Sequence, residues 1–169
     1  MNAGVPVERQ PELDETARRV IDANLYLTLG TQDPDGSPRL SPVFYTAARY
    51  TDFYWLSSPD AHHSRNLAEH PVVQIVIFDS TATVGHGEAV YMTATARPVD
   101  DDSELDAVSP EAFRAVPGAH RFQPSELRGD ADLRLYVARA RSWEVHVPGR
   151  HPVHGRGVDT RQPANPGPA

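Results

Sequence analysis

The sequence predicts a mainly β protein with short helices, its strands forming an antiparallel barrel. Three observations carry this reading. Alternating or β-branched apolar runs recur along the chain, at Leu25–Thr31, Asp52–Ser57, Val72–Phe78 and Gly87–Val99 among others. Turn signals separate them, the strongest being Asp33-Pro34-Asp35-Gly36. The balance, about seven strands against three or four short helices, favours an antiparallel barrel over a parallel sheet.

Each element has its own signal. A helix is expected over about Asp14–Asn24, with Asp14 as its cap and Ala17, Val20, Ile21 and Leu25 as its apolar stripe. Leu25–Thr31 then alternates, with Leu25, Leu27 and Leu29 on one face. The Asp-Pro-Asp-Gly turn returns the chain along a second strand, Pro38–Thr46, in which Pro42 implies an edge position or a bulge. A third strand, Asp52–Ser57, carries Phe53, Tyr54 and Trp55, and a short helix follows at about Ala61–His70. Val72–Phe78 reads as a buried strand. Gly87–Val99 reads as a long one, with Val90, Met92, Ala94 and Ala96 on one face. Helices are expected at Asp100–Val108 and Pro110–Val116, and a closing pair of strands at Leu133–Ala140 and Ser142–Val147. Residues 1–12 read as a flexible tail, 13–148 as the folded domain, and 149–169 as a Pro/Gly-rich tail with little to bury.

Composition narrows the function. The 169 residues suit one domain, and 39% hydrophobic content is enough for a single core. No run of about 18 apolar residues suggests a membrane span, and the polar start lacks the features of a secretory signal. Without cysteine there is no disulfide framework and no thiolate metal site. Together these point to the cytoplasm. A net charge of −7 argues against non-specific nucleic-acid binding. Local basic residues can still gather around a phosphorylated small ligand.

The segment Trp55-Leu56-Ser57-Ser58-Pro59-Asp60-Ala61-His62-His63-Ser64-Arg65-Asn66-Leu67 is the most informative. A strand ends in two hydroxyls where a helix begins, which brings backbone N–H groups and a partial positive charge to one place. Ser57, Ser58 and Ser64 add hydroxyls, Arg65 a permanent charge, and His63 a further donor. This suits a phosphate. The same residues equally describe a capped helix with Arg65 in water. On the second strand, Arg39-Leu40-Ser41-Pro42-Val43 is either an ordinary edge or a floor on which a planar ring could lie.

The order of these features resembles the pyridoxamine 5'-phosphate oxidase-like flavin-binding split barrels. The resemblance rests on the Asp-Pro-Asp-Gly turn, Arg39-Leu40-Ser41-Pro42-Val43, Tyr54-Trp55-Leu56-Ser57-Ser58 and His63-Ser64-Arg65-Asn66-Leu67-Ala68-Glu69-His70-Pro71-Val72-Val73. It extends to Gly87-Glu88-Ala89-Val90, Leu135-Tyr136 and Trp143-Glu144-Val145, and spans about Asp14–Val147. It implies an FMN-binding antiparallel split β-barrel over 13–148, a homodimer with the cofactor in a groove between subunits, and a small-molecule substrate. By the resemblance, Ser57, Ser58, His63, Ser64 and Arg65 hold the cofactor phosphate, and Arg39, Leu40, Ser41, Pro42 and Val43 form the floor of the ring. The implied activity is a flavin-dependent oxidoreductase in which the ring does the chemistry. No catalytic acid or base stands out. FMN is the default cofactor and the 8-hydroxy-5-deazaflavin coenzyme the alternative. The rival reading is a non-catalytic split barrel that stores or senses flavin or haem. Many members have Lys near the place of His63, and a C-terminal Arg-His signature for pyridoxamine phosphate has no clear match in Arg150-His151 or His154-Gly155-Arg156.

Other clusters read as structural. His62 and His63 are adjacent and point apart on a helix, so no metal site is expected. His86 reads as a turn residue and Asp100-Asp101-Asp102 as a solvated helix start. Trp55 and Trp143 read as core or interface residues. Neither a Gly-x-Ser-x-Gly elbow nor a Walker loop is present.

Overall fold

Pro11 presets the first helical φ, so α1 (Pro11–Ala23) opens there rather than at Asp14. The structure, a computed structural model, describes residues 10–113 and 120–167. Asp14 is therefore not the cap. It is 3% exposed, and its Oδ1 accepts the backbone N–H of Asn165 at 2.6 Å.

Alternation then builds the hairpin of β1 (Tyr26–Gln32) and β2 (Pro38–Phe44), paired in register with Leu29 opposite Ser41. Gly36, at φ +86°, makes the turn that a side chain would resist. Strand β2 is an edge of the sheet, where a proline is tolerated. The single strand expected over Pro38–Thr46 is two, because Tyr45 turns into the core and donates its hydroxyl to the Ile21 carbonyl at 2.6 Å. Beyond it β3 (Thr46–Ala48) pairs with β4 (Asp52–Ser57) instead of β1. The bend between them places Arg49 and Tyr50 at φ +53° and +59°, conformations that side chains rarely adopt. Tyr50 is tied down by its hydroxyl on Asp22 at 2.9 Å and by Trp143 Nε1 on its carbonyl at 3.1 Å.

Helix α2 (His62–Glu69) leads to β5 (Val72–Phe78) and β6 (Ala89–Pro98), where Val90, Met92, Ala94 and Ala96 are buried as their spacing predicts. Asp101 caps α3 (Asp102–Ala112) by accepting the Glu104 N–H at 2.8 Å. Where two helices were expected there is one, which runs through Pro110 to Ala112. Residues 114–116 of the second expected helix lie outside the described residues. After a 3₁₀ turn at Pro124–Leu127, β7 (Arg134–Val147) is one continuous strand rather than a pair. Its register against β6 shifts between Thr93 and Ala94, which leaves Arg141 as the extra residue of a bulge.

The sheet order is β2-β1-β5-β6-β7-β4-β3, antiparallel throughout, curled into a split half-barrel. The main core, with Leu29, Ile77, Met92, Phe53 and Trp55, lies inside the curl under α1. A second cluster, with Tyr54, Leu105, Leu127 and Leu135, lies under α3. Residues 149–169 are not merely a tail. A last strand, β8 (Thr160–Ala164), covers the edge of β7 that β4 leaves free, and an uncovered edge is a standing liability. Ala164 is buried, and Arg18 Nε donates to the Pro166 carbonyl at 2.9 Å. His154 and His151 approach Glu12 at 3.4 and 3.7 Å, also within this ordered segment. Among the described residues, no helix is long and apolar enough to cross a membrane.

Candidate functional site

Strand β4 ends at Ser57 and α2 begins at His62, so the site is a junction. On β4, β3 pairs only as far as Tyr54, while β7 pairs the full strand. Trp55–Ser57 are thus laddered on one side only among the described residues. On the other side of the junction, Ala61 occupies the N-cap of α2 and offers no side-chain bond. The first N–H groups of this helix keep their positive end uncompensated by a cap.

Three of the expected residues converge here. Ser57 Oγ lies 2.8 Å from His63 Nε2, and Ser64 Oγ donates to Ser57 Oγ at 3.3 Å. Ser57 and Ser64 are buried and His63 is half-buried. Burial lowers the His63 pKa below the ordinary imidazole value, and the neighbouring His62 adds to the effect. The ring is therefore neutral near pH 7. Ser58 stands beside them as a turn residue, its Oγ accepting the Asp60 N–H at 3.2 Å.

Arg65 does not join this cluster. It is exposed; one guanidinium nitrogen donates to the Asp60 carbonyl, and another lies 3.4 Å from His62 Nδ1. No carboxylate pairs with it among the described residues. Arg65 and Arg39 instead line a polar hollow of about 480 Å³ between α2 and the Asp33–Gly36 turn.

The β2 residues divide by strand alternation. Arg39, Ser41 and Val43 are half-buried or buried, whereas Leu40 and Pro42 face outward. Leu40, 73% exposed, borders a shallow cavity on the outer face of the sheet with Gly30 and Tyr91. Arg39 is already engaged: its Nε and Nη2 grip Asp33 at 2.8 and 2.7 Å. This pairing, with a bond from Asn66, holds the Asp33 carboxyl at about 2.

Sequence reasoning missed that second pair of partners. Asn66 Nδ2 donates to Thr31 Oγ1 at 3.1 Å and to Asp33 Oδ1 at 2.7 Å, bolting α2 to β1 and to the turn. Its signal was an amide on the buried face of a helix, next to Leu67, where an unpartnered polar group is costly. The His86 N–H makes a turn bond to the Thr83 carbonyl at 2.9 Å.

Comparison with known proteins identifies relatives of the fold. A sequence profile described as pyridoxamine 5'-phosphate oxidase matches residues 13–146. No curated protein matches the chain in sequence. Solved structures share the fold. A heme binding protein from Mycobacterium smegmatis has a TM-score of 0.67 at 23% identity, over 92% of this chain and 60% of its own. A Clostridium acetobutylicum protein related to general stress protein 26 of Bacillus subtilis, of the pyridoxinephosphate oxidase family, has a TM-score of 0.64 at 9% identity, over 91% and 96%. The heme storage protein of Vibrio cholerae has 0.56 at 21%, over 79% and 92%. The chain thus spans less than two thirds of the mycobacterial protein.

Proposed function

The chain belongs to the pyridoxamine 5'-phosphate oxidase family, and on that premise we propose a flavin-dependent oxidoreductase that acts on a small organic molecule and holds the phosphate of FMN where β4 meets α2. One observation carries the reading: an uncapped helix N-terminus stands directly beside the Ser57–His63–Ser64 cluster. Main-chain N–H groups, two hydroxyls and the positive end of a helix are a donor set suited to a phosphate. Arg65, one turn into the same helix and free of any carboxylate among the described residues, adds charge at its rim.

The residues present fit such a group. Ser57 and Ser64 would donate to its oxygens, and His63 would do so on taking up a proton. Arg39, Ser41 and Val43 offer the inward face of β2 to a ring. When bound, the cofactor ring supplies the redox chemistry by exchanging a hydride or electrons with the substrate. The protein's part is to bind, orient and exclude water. We propose further that two copies close the site between them. Exposed Tyr26, Leu40, Phe44, Val72 and Phe78 support this, as apolar side chains that a partner surface could cover. The 8-hydroxy-5-deazaflavin coenzyme is the alternative to FMN.

A second reading, a non-catalytic carrier of flavin or haem, draws on the sparse charge of the site. His63 is neutral near pH 7 and Arg39 is neutralised by Asp33. Two proteins of the same fold are described as heme binding and heme storage proteins. The deciding experiment is the visible spectrum of the purified protein, with mass spectrometry of what denaturation releases. A flavin spectrum and the mass of FMN, with turnover by NADPH, support the oxidoreductase. A haem spectrum, or a flavin that no reductant and substrate pair cycles, overturns it in favour of the carrier.

A further inference from the structure

The geometry points to a second activity at the same junction: Ser57 is a nucleophile that accepts the acyl group of a small ester, with His63 as its base. This goes beyond the oxidoreductase reading and does not rest on it. The observation that carries it is the contact between Ser57 Oγ and His63 Nε2, 2.8 Å long. A hydroxyl is a weak nucleophile at its own pKa, and a base within hydrogen-bond reach is what activates it. Both groups sit on regular elements. Ser57 closes β4, where it pairs with Arg134 of β7, and His63 lies in the first turn of α2.

Three further features direct the proton and the charge. First, Ser64 Oγ donates to Ser57 Oγ at 3.3 Å, and the other acceptor near Ser57, the Ser58 carbonyl, is 3.4 Å away. The shortest path for the Ser57 hydrogen is therefore to Nε2, which accepts it in the Nδ1–H tautomer. Second, the imidazole is neutral near pH 7, because burial lowers its pKa, so it can take that proton. Third, the α2 ladder begins with the Arg65 N–H on the Ala61 carbonyl at 3.0 Å, which leaves the N–H groups of His62, His63 and Ser64 outside it. Two of these belong to the residues whose side chains touch Ser57 Oγ. They supply donors for the negative charge that develops on the ester oxygen.

In the first step Oγ bonds to the carbonyl carbon, the bond to the leaving oxygen breaks, and the proton passes through Nε2 to that oxygen. Water then attacks the acyl carbon and gives a proton to Nε2, and Oγ recovers its hydrogen as the acid leaves. Ser57 keeps 8% of its surface and His63 is half-buried, so the pair is shielded and admits only a small acyl group. His63 Nδ1 has no acceptor among the described residues. A triad whose orienting acid is replaced loses about 10⁴-fold in kcat, so turnover is slow and, with an activated ester, acylation outruns release.

The test uses p-nitrophenyl acetate and an alkyl fluorophosphonate on the full chain, desalted at high ionic strength to strip bound anions. At about pH 7.5 the ester should release p-nitrophenolate in a burst of about one equivalent per chain, followed by a slow phase. The fluorophosphonate should add once, at Ser57, as mapped by peptide mass spectrometry. Ser57→Ala should lose both, and His63→Gln should slow the burst by about a hundredfold or more. The wild-type burst rate should fall as His63 takes up a proton, on a limb below the ordinary imidazole pKa. A merely structural serine has no such limb. Labelling elsewhere or not at all, a burst that survives Ser57→Ala, or an unslowed burst in His63→Gln overturns the proposal, and the wild-type label depends on no variant folding. The visible spectrum taken before desalting separates the two readings. A reactive Ser57 in a protein without flavin keeps the nucleophile and sinks the redox reading. Bound flavin in a protein whose Ser57 is inert once stripped sinks the nucleophile alone.

Discussion

The Nε2 of His63 lies 2.8 Å from the Oγ of Ser57, in a pocket that keeps the imidazole neutral. This pair would make the proposed phosphate site sensitive to pH. In the free protein the folded-state pKa of His63 lies below the unfolded value of about 6.5. The unfolded chain therefore binds more protons just below that pH, so this contribution to stability is present above about pH 6.5 and is lost as pH falls through the folded pKa. A bound phosphate pulls the other way by favouring the imidazolium. FMN is expected to bind several-fold more tightly at pH 6 than at pH 8 in a fluorescence titration. His63→Lys should flatten the profile, and His63→Gln corrects for titration of the phosphate itself. A His63→Gln variant with the wild-type slope would remove His63 from the site.

Ser57→Ala combined with Arg65→Ala should release the cofactor while leaving the fold intact. Each lost bond to a charged group is worth about 1.5–3 kcal/mol, so the pair should weaken FMN binding by two orders of magnitude or more. Riboflavin, which lacks the phosphate, should be little affected. Flavin occupancy on purification, read from the visible spectrum beside circular dichroism, checks this; unchanged occupancy refutes the site.

Asn66 is the bolt between α2 and the hairpin, and Asn66→Ala leaves Thr31 and Asp33 without its two bonds. The loss is expected to destabilise the fold by about 1–3 kcal/mol, read as a lower urea midpoint at unchanged slope. The Asp33 carboxyl, held at about 2, stabilises the fold above its unfolded pKa near 3.9, and that contribution fades as pH falls toward 2. Asp33→Asn should remove this acid-side component of the stability profile. An acid limb identical to wild type would show that the pairing with Arg39 contributes nothing.

Deleting residues 160–167 strips β8 from β7 and leaves Asp14 buried without its Asn165 partner. The expected cost is on the order of 3 kcal/mol, several ladder bonds at about 1 kcal/mol each. Differential scanning calorimetry would register it as a clear drop in Tm. An unchanged Tm would mean that the segment only decorates the edge.

Most of the barrel was legible because period-two alternation is a local signal. Val72–Phe78 and Asp52–Ser57 carry their strand boundaries in their own residues, and Gly36 carries its turn. The C-terminal strand was not legible, because Thr160–Ala164 contains a proline and little apolar surface and is a strand only through the vacant edge of β7. The same holds for Asp14: an acid near a helix start looks like a cap until tertiary contact supplies Asn165. At the site, Ser57, His63 and Ser64 were legible because strand end and helix start are close in sequence. The direction of Arg65 was not, since a long exposed side chain is governed by what lies near its tip, here the Asp60 carbonyl.

The one-sided ladder at Trp55–Ser57 also bears on handling the protein. A strand whose backbone is paired on one side only is, chemically, a strand waiting for another strand. Under the proposed reading a bound cofactor would shield that strand, so cofactor-free preparations should turn cloudy at lower concentration than cofactor-loaded ones.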